Sequence, residues 1–186
     1  LQILGGYGYC SDFILQQYYR DIRISSIYEG TTGIQSQDLL GRKITMDKGK
    51  GLALLSAEIL STIEVATGYQ ALQPYAKILN EKLQLTQKVL DKLMPHAMKG
   101  DFEKYLADAS VFMEFFSLVI MGWTWLDIAM NAQENLQKSS LKFPENFYIG
   151  KIETMKYFYS YELPKTSGHA EILMNPTTVT IKKDKE

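Results

Sequence analysis

Two short segments of this chain hold residues whose types and spacing could do chemistry. One is Ile27-Tyr28-Glu29-Gly30-Thr31-Thr32-Gly33-Ile34-Gln35, where a carboxylate stands just before a helix start, flanked by an aromatic ring and a glycine. A carboxylate placed there can accept a proton from a ligand, or it can simply be an acidic residue favoured by the positive end of a helix. The other is Gln2-Ile3-Leu4-Gly5-Gly6-Tyr7-Gly8-Tyr9. Its glycines let a backbone come close to a ligand, or they merely make a turn. Taken singly, neither segment decides between its two readings.

Other chemistry is missing from the sequence. There is no Gly-Lys-Ser/Thr phosphate loop and no Cys/His cluster with metal-ligand spacing. The two histidines, His96 and His169, lie far apart; His96 follows Pro95 near a helix end and reads as a surface histidine beside the helix dipole, while His169 falls in the tail. Trp123 and Trp125 belong to an aromatic stripe that reads as core. The single cysteine, Cys10, allows no intramolecular disulfide, which fits a reducing compartment such as the cytoplasm. Twenty basic residues against twenty-one acidic ones leave a net charge of −1 and no electrostatic reason to bind nucleic acid or an anionic membrane. The longest apolar stretch, Phe115 to Leu126, falls short of the roughly 20 residues that a bilayer requires. It is flanked by Glu114 and Asp127, so we read it as a buried helix and expect no membrane span.

The elements that must position these residues divide near Asp47-Lys48-Gly49-Lys50-Gly51. Eight of the thirteen glycines lie at or before Gly51, and beyond it the chain becomes periodic and helical. Before that boundary we expect a loop over Leu1 to Cys10, then a helix capped by Ser11 or Asp12 and running to about Arg23. A turning or extended piece follows from Ile24 to Thr32. A second helix carries Ile34, Leu39, Leu40 and Ile44, with Thr31 or Thr32 as its N-cap. After the boundary the apolar spacing predicts four helices. The first covers about 52–67 with Leu52, Leu55, Ile59 and Ile63 on one stripe. The second starts near Pro74 with Tyr75, Leu79, Leu83, Leu90 and Leu93. The third is a long helix over about 101–138, with Phe102, Leu106, Ala109, Phe112, Phe116, Val119, Trp123 and Leu126 on its stripe. The fourth covers about 146–163, stopped by Pro164. The expected fold is therefore all-α, with an antiparallel four-helix-bundle-like module. The tail, 165–186, reads as polar and loosely attached, with some strand character over Thr177 to Ile181. Because the chain opens on Leu1 and a Gly-rich turn, we expect it to be part of something longer.

Read together, the segments say more than either does alone. Gln2 to Tyr9, then Tyr19-Arg20-Asp21-Ile22-Arg23, then Ile27-Tyr28-Glu29-Gly30-Thr31, form an ordered string that resembles the C-terminal signature of acyl-CoA dehydrogenases. The resemblance covers about residues 1–45. The continuation through Ile34-Gln35 and Asp38-Leu39-Leu40-Gly41-Arg42-Lys43 resembles the branch with an extra C-terminal helical domain, which includes the 3-methylmercaptopropionyl-CoA dehydrogenases. Residues 52–164 are similar to that extra domain, notably at Phe115-Phe116 and Gly122-Trp123. On this reading 1–46 is the end of the catalytic helical domain.

The resemblance implies an FAD-dependent oxidation of acyl-CoA to trans-2-enoyl-CoA, with Glu29 as the base that removes the proton next to the thioester carbonyl. Such a C–H bond is a very weak acid, so the base is expected to sit in a dry pocket, with hydrogen bonds to the carbonyl oxygen. The family places one of those donors on the backbone N–H of the glutamate, and Gly30 leaves space beside the bound thioester. Gln2, Gly5 and Gly6 fall where the family contacts the adenosine diphosphate half of FAD, typically that of a neighbouring subunit. Thr31, Thr32 and Gly33 fall where it faces the cofactor, and Gly33 stands where a larger polar residue is often found. The implied partners are acyl-CoA, an electron-transfer flavoprotein as electron acceptor, and further copies of the chain in a homo-oligomer. An acyl-CoA oxidase, which shares the base and also carries an extra helical domain, is the rival enzyme reading. A non-catalytic helical oligomerisation module is the rival of a different class.

Overall fold

Apolar residues recurring at three- and four-residue steps place one face of each long helix toward a common centre, and the computed structural model has that arrangement. It describes residues 1–175 and 179–181. Among these the regular structure is helical throughout: α1 Leu15–Arg23, α2 Thr32–Asp38, α3 Met46–Thr67, α4 Gln73–Met98, α5 Phe102–Leu106, α6 Ala109–Leu136, α7 Glu145–Tyr157 and α8 Lys165–Met174. A 3₁₀ stretch over Gln2–Gly8 precedes α1, and π-helical turns extend α2 (Leu39–Lys43) and α7 (Phe158–Glu162).

The central helix is α6. It packs against α2, α3, α4, α7 and α8 and buries Phe112, Phe115, Val119 and Leu126 completely. Each such side chain stabilises the fold by about 1.5–3 kcal/mol relative to exposure. By length and composition α6 could cross a membrane, but its apolar stripe is covered by the surrounding helices. Gly122 lets Leu79 and Leu163 pack against the α6 backbone. A Cβ there would lie 3.2 Å from Leu163 Cδ1 and 3.7 Å from Leu79 Cδ1. The buried Gly122 carbonyl is used as well, since the buried Tyr159 hydroxyl donates to Gly122 O at 3.0 Å, and burial pushes that phenol well above its ordinary pKa. Trp123 is core, as its stripe indicates, and donates its indole N–H to Thr62 Oγ1 at 2.7 Å.

Four expectations need correction. The first helix does not start at Ser11 or Asp12: the chain is still turning there, with Phe13 edge-on to Tyr7 at 6.5 Å, and α1 begins at Leu15 without a side-chain cap. The long third helix is two. It breaks at Ala107-Asp108, where Asp108 leaves helical geometry (φ −113, ψ 32), and the short α5 that results leaves Phe102 exposed, off the core stripe. Pro164 does not end the bundle but begins α8, because a proline is well suited to a helix start. The first part of the tail is therefore firmly packed: α8 buries Thr166, Ala170 and Leu173 against α4 and α6, and His169 reaches to 3.6 Å from Glu114. Of the segment read as strand-like, Val179 and Thr180 form a turn, and Thr177 and Thr178 lie outside the described residues.

The expected break between the two parts is a left-handed turn at the start of α3. Asp47, Lys48 and Gly49 all have positive φ (50, 59 and 79). The parts are nevertheless joined. Leu40 and Ile44, ahead of the turn, belong to the same core as the bundle. The wide π turn carries Ile44 N–H to Leu39 O at 2.9 Å, and the buried Tyr105 hydroxyl donates to Leu40 O at 2.7 Å. This anchoring holds α2, and with it the segment around Glu29. By contrast α1 buries no side chain at all.

Candidate functional site

Glu29 lies in the turn that delivers the chain to α2. It has φ +57, and Gly30 follows at φ +107. A left-handed conformation in a residue with a side chain costs about 1–3 kcal/mol and persists only where the surroundings enforce it. Three side chains of α2 do so here. Ile34 lies under Gly30, where a Cβ would come within 2.9 Å of Ile34 Cγ2, so this position admits only glycine without rearrangement. Gln35 reaches back and donates its side-chain N–H to Glu29 O at 2.5 Å. Ser36 donates to Gly33 O at 2.7 Å. With the Ser36 proton used in that way, Ser110 at the start of α6 donates to Ser36 Oγ across 3.2 Å.

Thr31 is the expected N-cap residue, extended at φ −66 and ψ 167, but its side chain makes no capping bond. The first helical N–H to find a main-chain partner is that of Gln35, on Thr31 O at 2.9 Å. The N–H groups of Thr32, Gly33 and Ile34 therefore point out of the helix start, where they favour negative charge. Thr31, Thr32 and Gly33 are exposed, and so is Glu29, whose carboxylate makes no ion pair or hydrogen bond among the described residues. The dry surroundings expected of a base are not supplied by these helices. A partly open pocket of 160 Å³ is lined instead by Leu40, Lys92, His96, Lys104 and Tyr105 among others; Glu29 does not line it.

The glycine segment is separate. Gly5 has φ +55 and ψ −136, and a Cβ on Gly5 or Gly6 would meet nothing within 4 Å, so this backbone is open to approach from outside. Gly8 has a different role: a Cβ there would sit 2.5 Å from Leu1 O, so it keeps the turn closed. Gln2 is exposed. Among the described residues, no hydrogen bond joins residues 1–23 to residues 29–44. The chain thus brings Glu29, Gly30, Thr31, Thr32 and Gly33 together in one turn and leaves Gln2, Gly5 and Gly6 apart from them.

The sequence reading quoted Gln35 but gave it no role. The signal was there in principle: a side chain long enough to reach back from the first turn of a helix, following a glycine turn that needs a donor.

Comparison with known proteins matches both parts of the chain. Residues 55–183 match the family described as acetyl-CoA dehydrogenase C-terminal like, and residues 1–44 match the acyl-CoA dehydrogenase C-terminal domain. The chain belongs to the acyl-CoA dehydrogenase family. Among its curated relatives are the broad-specificity linear acyl-CoA dehydrogenase FadE5 of Mycobacterium tuberculosis, 31% identical over 93% of this chain and 29% of that protein, and the 3-methylmercaptopropionyl-CoA dehydrogenase of Ruegeria pomeroyi, 33% identical over 92% of this chain and 29% of that protein. A butyryl-CoA dehydrogenase of Syntrophomonas wolfei is 28% identical over 97% of this chain and 30% of its own length. The chain therefore spans under a third of the length of these acyl-CoA dehydrogenases. Its left-handed turn at Asp47 to Gly49 lies between the two matched segments.

Proposed function

We propose that the chain is the C-terminal part of an FAD-dependent acyl-CoA dehydrogenase and that Glu29 is its catalytic base. Residues 1–46 would close the catalytic helical domain, and residues 52–164, with α8 packed on them, would form the additional module. One observation carries the proposal. Inside the family-matched segment, Glu29 is held in an enforced left-handed turn, exposed, with no hydrogen bond or ion pair on its carboxylate among the described residues. A residue kept in a costly conformation with no structural partner is better explained by a ligand than by stability.

In that role the Glu29 carboxylate takes the proton from the carbon next to the thioester carbonyl, and its backbone N–H helps hold the carbonyl oxygen as charge develops there. Gly30 stands beside the thioester, as the family resemblance implies, while the place of its missing Cβ is taken by Ile34. FAD, when bound, accepts the hydride from the adjacent carbon. The residues present fit that cofactor: the open backbone of Gly5 and Gly6 and the free N–H groups at Thr32 and Gly33 suit a pyrophosphate and its flanking groups. As the family resemblance implies, Gln2, Gly5 and Gly6 serve the flavin of a neighbouring subunit while Thr31, Thr32 and Gly33 face the cofactor beside Glu29, which makes the working form a homo-oligomer. We assign the product as trans-2-enoyl-CoA, the electron acceptor as an electron-transfer flavoprotein and the location as cytoplasmic.

Anaerobic mixing of the complete, flavin-loaded protein with acyl-CoA tests this. Bleaching of the flavin, followed by reoxidation that is fast with an electron-transfer flavoprotein and slow with oxygen, is expected. Fast reoxidation by oxygen would make the protein an oxidase, and no bleaching with any acyl-CoA would leave only an assembly role.

A further inference from the structure

Resting on the assignment of Glu29 as base, we infer that Gln35 is the positioning residue for that base. The side chain of Gln35 spans from the first turn of α2 to the main-chain carbonyl of Glu29, six residues earlier, and donates to it at 2.5 Å. That carbonyl belongs to the peptide linking two left-handed residues, Glu29 at φ +57 and Gly30 at φ +107. Fixing this peptide plane fixes the direction in which the Glu29 Cα–Cβ bond leaves the turn. The carboxylate itself has no hydrogen bond or ion pair among the described residues, so the backbone from which the side chain leaves is the part of Glu29 that this chain fixes.

Other contacts hold the turn's surroundings. Ile34 seats Gly30 by packing, and Ser36, backed by Ser110, holds Gly33 O. Neither bonds to the carbonyl of Glu29. Gln35 is partly buried and makes this bond from a helix whose far end is locked into the core at Leu40. The base is therefore tied through one side-chain amide to a rigid element. A base on a mobile turn would still meet its substrate but would spend little time within proton-transfer distance.

The test uses the flavin-loaded complete enzyme with Gln35→Met, which keeps length and bulk but cannot donate, and Gln35→Asn, which keeps the amide but cannot reach. Glu29→Gln runs beside them. Four quantities are measured: flavin-reduction rate, acyl-CoA dissociation constant, the deuterium isotope effect at the substrate α-carbon, and hydrogen exchange over residues 28–31. We expect both Gln35 variants to bind acyl-CoA as the parent does and to reduce flavin about 10- to 100-fold more slowly. The isotope effect should rise, and the Glu29–Gly30 amides should exchange faster. Wild-type rates in the Gln35 variants, with Glu29→Gln inactive, would overturn the inference and leave the base assignment standing. So would a slow variant whose loss lies wholly in substrate affinity, or in flavin content or folding, with an unchanged isotope effect. Near wild-type bleaching in Glu29→Gln would instead remove the reading on which the inference rests.

Discussion

At the scale of single residues, the turn at Glu29 and Gly30 concentrates most of what is unusual in this chain. Gly30→Ala places a Cβ within 2.9 Å of Ile34 Cγ2 at φ +107, and we expect it to destabilise the chain by about 1–3 kcal/mol. Chemical denaturation checks this, and Gly33→Ala is the control, because a Cβ there meets only Thr31 Oγ1 at 4.0 Å. Asp38 offers a pH test. The Arg42 guanidinium, with Lys43 beside it, holds its carboxyl below the ordinary range. Stability from this group is fully present above the unfolded-state pKa and is lost as pH falls through the lowered folded value. Asp38→Asn should therefore lower stability slightly at neutral pH, by the small amount that suits an exposed pair, and converge with the parent below the carboxylate range, so that the acid limb is flatter. The identity of the candidate base was legible in the sequence because Tyr28-Glu29-Gly30-Thr31 stands in a specific motif. Its left-handed φ and the reach of Gln35 were not, because both depend on how the helix start is seated.

At the scale of elements, periodicity placed α4 and α7 within a few residues and found the C-terminal ends of α3 and α6, because each must bury a stripe against the others. It failed where a local choice interrupts the period. Asp108 breaks what reads as one helix, and Pro164 starts a helix where it reads as a stop. No spacing rule distinguishes a polar tail from a helix whose buried residues are Thr166, Ala170 and Leu173. Leu173→Ala tests the corrected view. A packed α8 predicts a loss of about 2–4 kcal/mol in unfolding free energy, whereas a loosely attached tail predicts none. Tyr105→Phe tests the link between the bundle and the segment that carries Glu29. It leaves the buried Leu40 carbonyl without its donor, at a cost of about 1–3 kcal/mol, and urea unfolding should register it.

At the scale of the whole molecule, the two ends of the chain contrast. The bundle closes over a continuous core, while Ile3, Tyr9, Tyr19, Ile22 and Ile34 stand exposed in the first 34 residues. An apolar surface of that kind calls for a covering partner, which accords with a chain that spans under a third of its relatives' length. The isolated chain should therefore self-associate in size-exclusion chromatography. It should also purify without flavin, because Gln2, Gly5 and Gly6 offer too few contacts to offset the cost of immobilising FAD; a yellow preparation with one flavin per chain would contradict this. In the complete enzyme the measurement that bears most directly on the central claim is anaerobic stopped-flow mixing of the Glu29→Gln variant with acyl-CoA. Gln keeps the shape and the backbone N–H but cannot accept a proton. The account predicts near-normal acyl-CoA binding and flavin bleaching slowed by about 10²–10⁴-fold or more, roughly 3–5 kcal/mol of barrier. Bleaching at the wild-type rate in a well-folded Glu29→Gln enzyme would contradict it.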